Sequence, residues 1–153
     1  MAKRARASLS HVDGSGAVRM VDVGAKAVVE REAVAEGTIR VSRTARRLAR
    51  QGGTTKGRPL EIARIAGIQA AKRTADLIPL CHPLALSYAD VQVAESATGY
   101  TLRATVRLAG RTGVEMEALT AVSVAALTIY DMLKAVDTGM VIEGVRLVSK
   151  RKS

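Results

Sequence analysis

The chain has 153 residues, and 24 basic against 14 acidic side chains leave a formal charge of +10 at pH 7. That length suits one compact domain, and a hydrophobic content of 48% is enough to bury a core, which excludes wholesale disorder. Phe and Trp are absent and Tyr occurs three times, so Ala, Val, Leu and Ile must fill the interior and stacking platforms for bases are excluded.

The single cysteine, Cys81, cannot close an internal disulfide, and with two histidines it cannot assemble the usual four-ligand structural zinc site. A reducing, cytoplasmic setting is expected. No apolar run approaches the ~20 residues that span a bilayer, and no signal-peptide stretch follows Lys3, Arg4 and Arg6, so no membrane is expected. Lys3 to Arg6 and Lys150 to Lys152 read as frayed, solubilising ends. The expectation is a single domain over 1–153 with flexible basic ends at about 1–10 and 149–153.

In chain order, Gly37-Thr-Ile-Arg-Val41 alternates as a half-buried strand does, and Ser42 is placed to cap a short basic helix reaching about Gln51, where Gly52 and Gly53 end it. Pro59 suits the first turn of a second helix, whose Leu60, Ile62, Ile65, Ile68 and Ala71 recur at helical spacing to roughly Ala75. Pro79 and Pro83 make Leu77 to Leu84 an extended connector, with Cys81 and His82 in its middle. Ala85 to Ala94 and Tyr100 to Leu108 read as a hairpin about the turn Ser96 to Gly99. A long helix over 114–137 follows, stopped by Gly139, and Val141 to Val148 supply a last strand. This order is that of an α+β, ferredoxin-like split βαβ fold, an antiparallel sheet with helices packed on one face. The long helix is apolar around more than half its circumference, which suits burial against both a sheet and another copy of the chain.

Charge is unevenly spread. Residues 31–73 carry eleven basic side chains against Glu32, Glu36 and Glu61, a block that calls for a polyanionic partner. Nucleic acid and phosphorylated metabolites both satisfy it. A solvated helix face is the plainer account of Arg43 to Arg50.

Ionisable groups in apolar surroundings are more informative, because a charge taken out of water must be paired or used. Glu115 and Glu117 open the long helix, where they either complement its dipole or serve a site. Asp131 and Lys134 are neighbours on one face, as an ion pair or as a coupled acid and base. His82 is a structural histidine or a substrate contact. Lys56 lies in a glycine-flanked loop ahead of Arg64, Lys72 and Arg73. Glu117 and Asp131 are 14 residues apart, about 21 Å of straight helix. If both serve one small substrate, a second copy must supply one of them.

Two rival readings attach to these features. A small basic nucleic-acid-binding protein would show steep salt dependence, but it has no use for acids and bases embedded in apolar sequence. A metal-dependent hydrolase using His82, Glu115 and Glu117 is short of ligands, since the only other histidine is His11.

Lys56-Gly57, Ala63-Arg-Ile-Ala-Gly-Ile-Gln-Ala-Ala-Lys72-Arg-Thr and Leu77-Ile-Pro-Leu-Cys-His-Pro-Leu84 resemble the cyclic pyranopterin monophosphate synthases, the MoaC family of molybdenum-cofactor biosynthesis. So does the stretch from Gly113-Val-Glu-Met-Glu to Tyr130-Asp-Met-Leu-Lys134, and the match runs from about His11 through Met20-Val-Asp-Val23 to Val148. The chain departs from the family's longer Gly- and Lys-rich tail, stopping at Lys150-Arg-Lys-Ser153.

The resemblance implies rearrangement of 3′,8-cyclo-7,8-dihydroguanosine 5′-triphosphate, a guanosine-triphosphate-derived small molecule, to cyclic pyranopterin monophosphate with loss of pyrophosphate. It implies a phosphorus-oxygen lyase, a hexamer built as a trimer of dimers, and active sites between subunits. No cofactor is required, although magnesium can accompany the triphosphate, and no protein-bound metal or nucleic acid is expected. By position, Asp131 matches the catalytic aspartate and Lys56 and Lys134 the essential lysines. Leu80, Cys81, His82, Met116 and Glu117 match the substrate-contacting segments, with Glu115, Lys72 and Arg31 in supporting places. A lysine drawn into a partly dry site beside other cations becomes a usable acid near neutrality, the role expected of Lys56. Arg31 and Lys72, with Arg64 and Arg73 as further candidates, would hold the triphosphate.

Overall fold

The computed structural model describes residues 9–52 and 55–153. Its elements are β1 (Val29–Arg40), α1 (Arg43–Arg50), α2 (Pro59–Lys72), α3 (Thr74–Leu77), β2 (Tyr88–Glu95), β3 (Gly99–Gly110), α4 (Glu115–Leu133) and β4 (Val141–Lys152). The strands form one antiparallel sheet in the order β2-β3-β1-β4. That is the ferredoxin-like arrangement expected from the order of elements.

One face of the sheet is apolar because inward residues recur at every second position of β1 and β3. Ala33, Ala35 and Ile39, with Leu102, Ala104, Val106 and Leu108, are almost wholly buried. α4 lays Ala118, Ala121, Val122, Ala125, Ala126, Ile129 and Leu133 over them. With so much alanine and Tyr100 as the one aromatic among the described core residues, the layers close by approaching tightly instead of interlocking long side chains. Gly67 of α2 shows how tightly: a Cβ there would lie 2.8 Å from the Ala121 carbonyl oxygen and 2.9 Å from Val91 Cγ2. Overpacking costs roughly 1–3 kcal/mol, more than the up to ~1 kcal/mol of helix propensity that alanine gains over glycine. Gly67→Ala is therefore expected to lower stability by about 1–2 kcal/mol in urea unfolding, and equal or greater stability would contradict the close contact.

The outer face is polar and cross-paired. Glu36 lies directly opposite Arg103 and Glu32 opposite Arg107, with ion pairs of 3.1 and 2.6 Å. Arg146 of β4 joins Glu36, and Arg107 also lies over the Tyr88 ring at 4.7 Å. This ladder explains why β1 begins eight residues before the strand expected at 37–41. Glu30, Glu32 and Glu36 look like interruptions in sequence, but they stand on the solvent face, where arginines of neighbouring strands meet two of them. The longer β1 in turn pairs Arg31 to Val34 with Lys152 to Ser149, so the C-terminal residues expected to fray extend β4 instead. Most of the N-terminal tail expected at 1–10 lies outside the described residues.

Local signals place the remaining elements. The Ser42 hydroxyl accepts the Ala45 N–H at 3.2 Å and caps α1. Gly52, at a left-handed φ of 67°, turns the chain after α1, whereas Gly53 lies outside the described residues. Pro59 opens α2. That helix stops at Lys72, short of Ala75, because the chain re-enters a separate turn, α3, with the Thr74 hydroxyl donating to the carbonyls of Ala70 and Ala71. α4 likewise ends at Leu133, not 137. Asp137 has left the helix to accept the N–H groups of Ser42 and Gly139.

α4 is 19 residues long and, by length and composition alone, apolar enough to cross a membrane, although Glu117 and Asp131 interrupt its apolar run. Here it is the central core helix. Its apolar side faces the sheet and α2, and it carries Glu115, Glu117 and Asp131.

Candidate active site

The two ends of α4 carry two separate groups of ionisable residues. At its N-terminal end a cavity of about 500 Å³ is lined by Arg31, Leu80, Cys81, His82, Glu115, Met116 and Glu117, all expected from the sequence. Arg31 reaches it by strand parity. It shares the inward face with Ala33 and Ala35, but lies beyond the core, where its guanidinium donates to the carbonyls of Gly110 and Arg111 at 3.1 Å each. Leu80 to His82 arrive on the irregular segment after α3, kept out of helix by the flanking prolines.

Glu117 is the unusual member, with only 4% of its surface exposed. Burial, reinforced by the neighbouring charge of Glu115 and partly offset by its own backbone N–H, raises its pKa to about 7. Glu117 is therefore poised to exchange a proton near neutrality. Cys81 is pushed up by burial and by Glu117, which keeps its thiol protonated at the cavity wall. His82 Nε2–H donates to the Val21 carbonyl at 2.8 Å, since a carbonyl oxygen can only accept.

Four ionisable wall residues were not expected as site residues. Lys26, Arg111 and Lys150 join Arg31 to give four cations around the cavity, and His11 lies at the same wall. Arg111 Nε donates to the Lys26 carbonyl at 3.1 Å, and Lys150 Nζ lies 3.3 Å from Glu115. His11 falls at the start of the stretch that resembles the family, but no local pattern marks Lys26 or Arg111. Lys150 sits in a run of charge that reads, along the chain, as a solvated end.

At the other end of α4, Asp131 is held between two lysines, Lys134 Nζ at 2.7 Å and Lys56 Nζ at 2.9 Å. Hydrogen bonds from Lys134 and then Lys56 hold the carboxyl down at about 2, and the bond to Asp131 in turn raises Lys134. The three predicted catalytic residues are thus brought together. The surroundings expected for Lys56 are absent in one protomer, however: it is half-exposed and faces a carboxylate instead of a cluster of cations.

Three further candidates stand outside this cavity. Lys72 is exposed at the end of α2 and Arg73 follows it, and neither lines the cavity. Arg64 braces α2 to the sheet through Val91 and Asp90. Among the described residues, no three His, Cys, Asp or Glu side chains are grouped to hold a metal ion.

The MoaC family model matches residues 20–153. A cyclic pyranopterin monophosphate synthase of Novosphingobium aromaticivorans is 61% identical over 143 residues, covering 94% of this chain and 91% of the relative. One of Chloroflexus aggregans is 59% identical over 145 residues, covering 94% and 88%. With a cation-rimmed cavity at one end of α4, a lysine-bridged aspartate at the other and identity on this scale across nearly the whole length, the chain belongs to the MoaC family.

Proposed function

We propose that the chain catalyses formation of cyclic pyranopterin monophosphate in molybdenum-cofactor biosynthesis, acting as a lyase on 3′,8-cyclo-7,8-dihydroguanosine 5′-triphosphate in the cytoplasm. The observation that carries this reading is the pairing of a buried, readily protonated carboxyl with four cations around one cavity. A triphosphate needs the cations, and a purine-derived ring that must open and reclose needs a group that both gives and takes protons near neutrality.

In this reading Lys26, Arg31, Arg111 and Lys150 hold the triphosphate. They neutralise charge as a ribose hydroxyl attacks the α-phosphorus and pyrophosphate leaves. Glu117 and His82 meet the guanine-derived edge. Asp131, kept ionised between its lysines, is the base, and Lys134 and Lys56 are the proton donors beside it. No protein-held metal is assigned, and magnesium accompanies the triphosphate if it takes part.

Glu117 and Asp131 lie at opposite ends of a straight helix, so one substrate cannot touch both in a single protomer. The proposed active unit therefore sits between copies, in a hexamer of three dimers. One copy gives the cavity and its neighbour gives the aspartate with its lysines. Protein stripped with a chelator, with magnesium alone returned, is expected to convert the cyclic triphosphate to cyclic pyranopterin monophosphate and one equivalent of pyrophosphate. Failure to form either product would refute the assignment.

A further inference from the structure

α1 carries four arginines, and the structure uses them in two different ways. Arg46 is fixed from several sides: its Nε donates to the Val41 carbonyl, and its terminal nitrogens donate to the carbonyls of Ser96 and Ala97 at 3.0 and 3.1 Å. Arg50 makes a two-point pair with Glu95 at 2.8 and 3.0 Å, and Arg46 shares that carboxylate at 3.3 Å. These bonds lock the basic helix onto the β2–β3 turn.

Arg43 and Arg47, one helical turn apart, are exposed and have no hydrogen-bond or ion-pair partner among the described residues. Arg43 stands in the first turn of α1, which has no acidic residue of its own, although the Asp137 carboxylate accepts the N–H of the capping residue Ser42. All four arginines, with Thr44 and Ala97, enclose a recess of about 400 Å³. None of these residues lines the catalytic cavity. Among the described residues, Glu95 is the carboxylate these arginines engage and Asp137 stands at the helix start, so four guanidiniums against two carboxylates leave a positive excess.

We propose that the α1 recess is a binding site, separate from the catalytic cavity, for small, multiply charged phosphate anions such as inorganic pyrophosphate. The locked guanidiniums of Arg46 and Arg50 form its rigid floor, and those of Arg43 and Arg47 close over the anion with two-point hydrogen bonds. A single carboxylate would leave most of the positive excess unmatched, which favours a polyphosphate over an acidic side chain. A nucleic-acid strand is disfavoured because the cations gather in one recess instead of tracking a backbone, and no tyrosine offers a free stacking face beside them. Tyr100 is buried, Tyr130 lies within α4, and Tyr88 is covered by Arg107. The site stands independently of the catalytic assignment.

The test is calorimetric titration of inorganic pyrophosphate into the full chain and into the Arg43→Gln/Arg47→Gln double variant, with turnover of the cyclic triphosphate read in the same samples. The wild type is expected to bind two equivalents per chain. The double variant is expected to lose one of them, with affinity at that site at least tenfold weaker and turnover unchanged. Identical isotherms for the two proteins would overturn the site. So would a single-stranded oligonucleotide that displaces pyrophosphate from the α1 recess more effectively, per phosphate, than a free nucleoside triphosphate. Absent turnover in the wild type would sink the catalytic reading and leave the binding result standing.

Discussion

Asp131→Asn is expected to lower kcat for pyrophosphate release by about 10³-fold while leaving the fold intact, within the 10²–10⁴ range typical of a positioned acid or base. The substitution keeps the shape but removes the charge that holds Lys134 at 2.7 Å and Lys56 at 2.9 Å. Two ammonium groups are then left facing each other without their shared counter-ion. Asp131 is half-exposed on the surface of α4, so the melting temperature should hardly change, which separates a catalytic loss from a folding one.

The same variant tests the shared site. Subunits carrying only Asp131→Asn and subunits carrying only Glu117→Gln are each expected to be nearly inactive. Dissociated, mixed and reassembled, they should regain a substantial fraction of wild-type turnover, because some interfaces then combine an intact cavity with an intact aspartate. Mixed oligomers no more active than their parents would show that both groups must come from one chain, and would defeat the interface model.

The second large effect concerns stability and pH. Glu117 is an acid whose pKa is raised by folding, from an ordinary 4.5 to about 7. Between those two values the folded state holds a proton that the unfolded chain has released, so raising the pH favours unfolding. Stability should fall by about 3 kcal/mol as pH rises from 4.5 to 7 and then level off, since one proton's difference between the two states is worth roughly 1.4 kcal/mol for each pH unit. Glu117→Gln removes the titration. The variant should lack this slope and be more stable than wild type by about the same amount at pH 8, while losing turnover. Urea unfolding at pH 5 and pH 8 reads both effects. Parallel pH profiles for the two proteins would mean that the carboxyl is not strained by burial. A group that costs stability when charged, in a cavity lined with cations, fits the proton exchange proposed for Glu117.

Features that depend on near neighbours in sequence could be read along the chain. The Ser42 cap, the proline that opens α2, the hairpin turn and the pairing of Asp131 with Lys134 each involve residues within a few positions of one another. The order of elements then leaves few ways to bury one apolar sheet face, which is why the ferredoxin-like sheet followed from pattern alone. Long, unusual motifs did the same for the site residues at 80–82 and 115–117, which do meet in one cavity.

The remainder turned on partners distant in sequence. The first half of β1 looks too acidic for a strand until Arg103, Arg107 and Arg146 arrive from other strands to match Glu32 and Glu36. Lys150 looks like a loose end until that longer β1 gives its strand a ladder, which brings the lysine beside Glu115. Lys26 and Arg111 join the cavity through a contact spanning 85 positions. Propensity and periodicity act over one or two turns, so the order of residues was enough to set the elements, their succession and the chemical types present. Which charges stand in water, which one is buried, and which cations gather around it came from the folded arrangement alone. Solvation and Coulomb energies depend on distance in space, and one dimension does not contain it.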